Sequence, residues 1–469
     1  MAAASGSLAA TLPADLLHRI FCAADPEAAE LGLNVDLLSF EERVRAEAVC
    51  KHWRAALTSR PAACAFIHLG SELTWQGSEA EAASEKAVRR ALAVAARAPL
   101  ADRIYSDVGD MDSQQLIAAH SAALEALLGC LGPRTLALEL PHNCKALPAY
   151  LAAAASHTSL ARLELNISGD VSLAASPALP GLPHVTELEF TPISGGDSIA
   201  LSLPMPRLQE ANLVADDTEY GPIPLQGVSI LAAGPGTGPG GGSSQQALLS
   251  SLTRLKVEAH RLELDGAALP ALAQLHLDLY FPHGRLVVRN AAALTSLSRL
   301  DLRPTTVYDD ASLAHMAPWS AVEADTVVRS NRLTPLLTGV SRTLRQLSLN
   351  LEEPLNTSMT AAVRGLTNLT RLELKLGGSG PEYDGQYEAD IFGFEPACVR
   401  LDCRLLAGMA QLRQLALSQD RDLLANALLS RAALRRLPAL HTLSLGDPSP
   451  LPALAPHLPP SLTRLDLSG

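Results

Sequence analysis

NLTRLELKL, residues 368–376, carries a six-residue frame, Leu369 to Leu374, that is apolar at its first, fourth and sixth positions. The frame returns as SLARLELNIS, HVTELEFTP, SLTRLKVEA, ALAQLHLDL, SLSRLDLRP, TLRQLSLNL, QLRQLALSQ, ALHTLSLGD and SLTRLDLSG. Its copies begin at residues 160, 185, 252, 272, 297, 344, 369, 412, 440 and 462, with weaker members at Thr135 (TLALEL) and Leu208 (LQEANL). Three wide gaps hold degenerate candidates, LQGVSI from Leu225, WSAVEA from Trp319 and FEPACV from Phe394; with these the mean step is about 23 residues. A repeat of that length marks a chain of stacked units, each too small to bury its own apolar face. On an extended strand the leucines at the fourth and sixth positions share one face, and the residues flanking them share the other. Strands of this kind laid side by side form a parallel sheet with a leucine interior, while the rest of each unit returns over the far side. The expected class is α/β.

From Thr135 to the end the sequence resembles the leucine-rich repeat family. The resemblance implies a solenoid with a curved parallel sheet, backed on its convex side by helices and irregular turns. Repeats of that family often place Asn or Cys at the ninth position, closing a ladder of side-chain to backbone hydrogen bonds. Here that position reads Ser168, Ile193, His260, Tyr280, Thr305, Glu352, Gly377, Asp420 and Pro448. With no such ladder, the turns are expected to be less uniform. DSQQLIAAHSAALEALLGCLG, residues 112–132, reads as a helical return, with Asp112 as cap and Leu116, Ala119, Leu124, Leu127 and Leu128 on one face. The other returns are short and proline-rich, so irregular turns are expected there.

Two stretches interrupt the array. AGPGTGPGGGSSQQ, residues 233–246, has neither the preceding strand nor the Lys-Ser or Lys-Thr of a phosphate loop, and reads as a flexible loop. Residues 377–396 form an acidic insertion with Tyr383, Tyr387, Phe392 and Phe394 close together; it either serves recognition or folds onto the convex face.

Ahead of the repeats stand two amphipathic helical patterns. Thr11-Leu12-Pro13-Ala14-Asp15 opens the first, with Leu12, Leu16, Leu17, Ile20 and Phe21 apolar. Ser39-Phe40-Glu41-Glu42 is a capping box for the second, whose Ala46, Val49, Cys50, Trp53 and Leu57 fall in one stripe. LPADLLHRIF followed by VCKHWRAAL resembles the F-box, the helical module that docks substrate receptors onto the adaptor of Skp-cullin-F-box ubiquitin ligases. The resemblance implies that Leu12, Pro13, Leu16, Leu17, Ile20, Val49, Cys50 and Trp53 make or support the adaptor contact. Residues 22–38 separate the two blocks more widely than is usual in that family. The order, F-box then leucine-rich repeats, is that of F-box leucine-rich repeat receptors. It implies an F-box-like domain at 1–60, a solenoid over 61–469, and an Skp-type adaptor and cullin scaffold as partners. The competing reading makes the two helices a cap on the solenoid of a leucine-rich repeat scaffold of the cytoskeleton or a cilium.

Composition narrows the function. A formal charge of −12 and a pI of about 5.6, with no basic run to offset them, argue against nucleic acid. Seven cysteines with no CxxC pair fit a reducing compartment. With neither a signal-type N-terminus nor an apolar run of membrane length, a cytoplasmic or nuclear location is expected. No HExxH, Cys/His cluster, GxSxG or P-loop occurs, so no metal, no cofactor and no catalytic residue is expected. Binding then falls to the residues flanking the leucines on the concave side. That surface reads polar and mixed in sign, and Arg254, Lys256, His276, Arg299, Arg303 and Arg371 are the candidates for holding a polar segment of a protein client. SLTRLDLSG stops just after a strand, so a cover for its last leucine row, a partner or further sequence, is expected.

Overall fold

The computed structural model describes residues 66–69, 88–96, 101–107, 114–140, 147–175, 179–193, 197–218, 221–231, 249–279, 285–305, 333–351, 357–376, 403–419, 434–446 and 455–467, apart from positions 90, 94, 180, 407 and 435. The helical module expected at residues 12–57, the loop at 233–246 and the insertion at 377–396 lie outside the described residues. The chain divides into two units, one ending near residue 205 and one made mostly of residues 206–469.

In the first unit, β1 (Phe66–Leu69), β2 (Arg103–Asp107), β3 (Thr135–Leu140), β4 (Arg162–Ile167) and β6 (Glu187–Pro192) follow in chain order, while β5 (Val171–Ala174), between β4 and β6 in sequence, belongs but for Val171 to the second unit. All but β5 form a parallel ladder in the order β1-β2-β3-β4-β6. The ladder therefore starts two strands earlier than the frames reveal, because FIHL and RIYSD lack the leucine pair. The expected helical return is α1 (Gln114–Leu131), with Ala119, Leu124, Leu127 and Leu128 buried. It ends at Gly132, whose φ of +58° suits a residue without Cβ and whose N–H reaches the Leu128 carbonyl at 3.0 Å. The following return is a second helix, α2 (Leu147–Ala155).

The second unit holds β7 (Ser198–Ser202), β8 (Glu210–Leu213), β9 (Asp216–Thr218), β10 (Gly221–Ile223), β11 (Gly227–Ile230), β12 (Arg254–Ala259), β13 (Arg261–Asp265), β14 (Gln274–Leu279), β15 (Arg285–Arg289), β16 (Arg299–Thr305), β17 (Gln346–Leu351), β18 (Arg371–Leu376), β19 (Gln414–Gln419), β20 (Thr442–Leu445) and β21 (Arg464–Asp466). Its main ladder runs β8-β12-β14-β16-β17-β18-β19-β20-β21, every pair parallel. Register aligns the frames leucine for leucine: Leu255, Leu275, Leu300, Leu347, Leu372, Leu415 and Leu443 are successive partners, and all are buried. Leu252, Leu272, Leu297, Leu344, Leu369, Leu412 and Leu440, the first leucines of those frames, are buried with them.

The degenerate frames add nothing to this ladder. β8 pairs directly with β12, β16 with β17, and β18 with β19, so none of the three wide gaps contributes a strand between its flanking frames. LQGVSI instead supplies β11 of a different sheet, Leu225 touching the main ladder only by a bridge to Ala259. The candidates at Trp319 and Phe394 lie outside the described residues.

That different sheet is the main departure from expectation. Where irregular turns were expected, five strands form a second sheet in the order β15-β13-β11-β7-β5. Its apolar positions, including Ile199, Leu201, Val228, Ile230, Leu262, Leu264 and Val288, are buried. Only His260 separates β12 from β13, a return too short for a helix. Two other returns carry helices instead: α3 (Leu333–Gly339), between β16 and β17, and α4 (Thr357–Arg364), between β17 and β18.

The turns leading into the strands, at the end opposite the ninth position, are uniform. The amides of Thr370 and Arg371 both bond the Arg345 carbonyl, at 2.8 and 3.0 Å. Ser298 and Arg299 treat the Ala273 carbonyl alike, as Thr463 and Arg464 treat that of His441. Hydroxyls reinforce these bonds: Thr186, Thr253, Ser298, Thr370 and Thr463 each donate to the same carbonyl as their own amide, at 3.0 to 3.2 Å. A Ser/Thr ladder before the strand thus takes the place of an Asn ladder after it. Among the described residues no helix is long and apolar enough to cross a membrane.

Candidate functional site

Strand alternation sets the leucines inward and leaves one polar row after another on the outer face of each ladder. In the first unit this row is acidic around two arginines. Arg162 meets Glu164 at 2.9 Å, Glu189 at 2.6 Å and Glu187 at 3.7 Å, while Arg103 bridges to Glu164. Burial disfavours the Arg162 charge, but Glu189, then Glu164 and Glu187, outweigh it and hold the guanidinium above its ordinary value.

In the second unit all six candidate basic residues lie on the outer face of the main ladder, and the register brings them together. Arg254, Gln274, Arg299, Gln346 and Arg371 are successive partners in one row, and Lys256, His276, Asp301, Ser348 and Glu373 in the next. Carboxylates interleave with them. Arg254 pairs with Glu210, Lys256 with Glu258 at 2.7 Å, and Arg371 with Glu373 at 3.1 Å. Arg299 has no ion-pair partner among the described residues. The face is therefore a checkerboard of opposite charges rather than a basic cluster, a pattern that stabilises neighbouring strands and leaves little net field.

At its centre lies a residue that composition did not single out. Asp301 on β16 accepts from His276 Nδ1 on β14 at 3.0 Å, and Arg303 Nε stands 3.6 Å from its other oxygen. Burial alone would raise the Asp301 carboxyl; hydrogen bonds from His276 and Ser348 and the charges of His276 and Arg303 hold it below the usual range. Asp278, two positions beyond His276, is pushed the opposite way, up to about 6, first by burial and then by Glu258. Asn350, likewise outward on β17, is buried. Asp301 and Asn350 resemble any solvated residue in an xLxL strand, so sequence carried no signal for their burial. No group of His, Cys, Asp and Glu among the described residues is placed to hold a metal ion. The adaptor-facing residues Leu12, Pro13, Leu16, Leu17, Ile20, Val49, Cys50 and Trp53 lie outside the described residues.

No family model matches the chain, and no curated protein matches it. Among solved structures the chain is similar to one from the Toll–Spatzle complex of Drosophila, at 13% identity over 81% of this chain, with a TM-score of 0.25. The match takes in 49% of that chain, so the present chain spans about half its length. At that TM-score the likeness carries no argument. The leucine-rich character of both units rests on the strand ladders and their aligned leucine rows.

Proposed function

We propose that this chain is a substrate-recognition subunit of an SCF-type cullin ubiquitin ligase. Residues 12–57 bind the Skp-type adaptor and through it the cullin scaffold, and the outer face of the repeats holds a protein client in the cytoplasm or nucleus. The observation that carries the reading is the order of parts: the F-box-like blocks LPADLLHRIF and VCKHWRAAL stand directly ahead of a leucine-rich ladder. An ordered, charge-alternating face supports it, because such a face selects a partner by complementarity and supplies no reacting group of its own. Ubiquitin transfer then belongs to the partner enzyme, and this chain contributes proximity.

The test is co-purification with an Skp-type adaptor, comparing the wild type with a Leu16→Asp, Ile20→Asp double variant. Adaptor recovered with the wild type and lost from a folded double variant supports the reading. A wild type that fails to retain adaptor at micromolar concentration contradicts it.

A further inference from the structure

Among the described residues, two oxygens on the outer face of the second unit are buried with no hydrogen-bond donor, Asp301 Oδ1 and Asn350 Oδ1. Their residues are 5% and 7% exposed, yet both occupy outward positions of their strands. They are also neighbours. Asp301 faces Ser348 in register and Asn350 lies two residues further along that strand, a diagonal of about 7 Å between backbones. The register between β16 and β17 shifts just there, between Leu302 and Thr305, so the ladder offers no regular partner to Asn350 on that side.

The chemistry of the missing partner follows from the atoms. Both are acceptors, so the partner brings N–H or O–H donors, and an anion is excluded. One belongs to a carboxylate, which asks for positive charge once removed from water. Asp278, diagonal to Asp301 on its other side, has a carboxyl pushed up to about 6, first by burial and then by Glu258, with His276, Arg303 and Lys256 pulling the other way. A planar guanidinium presents five N–H donors in a fixed fork that can span two acceptors, which a compact ammonium cannot do. Lys375 faces Asn350 in register, and the cation beside Asp301 Oδ1 is Arg303. Its Nε is 3.6 Å from Asp301 Oδ1 without a hydrogen bond, and its side chain is 54% exposed.

We propose that Asp301 and Asn350, with Asp278 beside them, form a subsite for an arginine side chain of a protein partner, which displaces Arg303 as it enters. The inference rests on reading the outer face of the repeats as the client surface.

The experiment is fluorescence anisotropy with a labelled hexa-arginine peptide and the full chain, with hexa-lysine as comparator. Asn350→Ala changes no charge and should weaken hexa-arginine binding roughly tenfold. Asp301→Asn should weaken it at least as much, and Glu187→Gln, which removes a charge from the first unit, should leave it unchanged. Arg303→Ala removes the internal competitor and should tighten binding several-fold; its exposed position keeps this reading accessible even where Asn350→Ala fails to fold. The proposal is overturned if Asn350→Ala folds and binds like the wild type, or if Asp301→Asn and Glu187→Gln weaken binding equally, which is general attraction to an acidic chain. Equal affinity for hexa-lysine, or no tightening with Arg303→Ala, overturns it as well. Adaptor capture is read on residues 12–57 in a separate assay, so either result can fail without the other.

Discussion

Thr370 Oγ1 donates to the Arg345 carbonyl at 3.0 Å, and the Thr370 amide donates to the same oxygen at 2.8 Å. One carbonyl of each repeat thus ties down the start of the next strand. Where the frame reads SLTRL, SLSRL or NLTRL, a hydroxyl doubles the tie. Thr370→Val keeps the β-branched shape and removes the donor, so it should lower stability by about 1 kcal/mol. Urea unfolding checks this, with an unchanged slope expected because the surface exposed on unfolding is the same.

A leucine from the middle of the ladder should matter far more. Leu347 is 1% exposed between Leu300 and Leu372, and Leu347→Ala should cost about 2–5 kcal/mol through lost burial and a cavity. Leu465, on the last strand, is 37% exposed, and Leu465→Ala should cost well under about 1 kcal/mol. Thermal unfolding of the two variants side by side gives the comparison.

How far the fold was legible follows from the same residues. The frames fix every strand of the main ladder from β12 onward because leucines at the fourth and sixth positions have no other way to share a face. FIHL and RIYSD escaped because Ile67 and Ile104 each carry the burial with little leucine around them. The second sheet left a readable trace in RLELD, which alternates as clearly as the frames, and in the apolar run of RLVVR, but their spacing from the preceding strand, not their pattern, decides that they pair with each other. The face was legible as polar. Its central pair was not, since the burial of Asp301 and Asn350 depends on what neighbouring strands set beside them.

Asp278 gives the unit a pH dependence. Its carboxyl lies near 6 in the folded chain against 3.8 unperturbed, so folding takes up a proton between those values. The contribution to stability is greatest below the lower value and is lost as pH rises through the upper one. Asp278→Asn should therefore match the wild type near pH 4 and melt at higher temperature than it near pH 8, a difference that scanning calorimetry across that range will register.

In the first unit Arg162 separates Glu164, Glu187 and Glu189. Arg162→Ala leaves three carboxylates facing one another, which should cost about 1 kcal/mol or less at low salt and diminish as salt is added. Denaturant midpoints in dilute and in molar sodium chloride supply the check; an effect that salt does not touch would assign Arg162 a packing role instead.

The most direct measurement is reconstitution of the ternary assembly from purified full chain, Skp-type adaptor and cullin, followed by analytical ultracentrifugation. A single species with one copy of each, absent when Leu16→Asp and Ile20→Asp are introduced together, is the predicted result. Sedimentation of the folded chain apart from an intact adaptor–cullin pair would contradict the account.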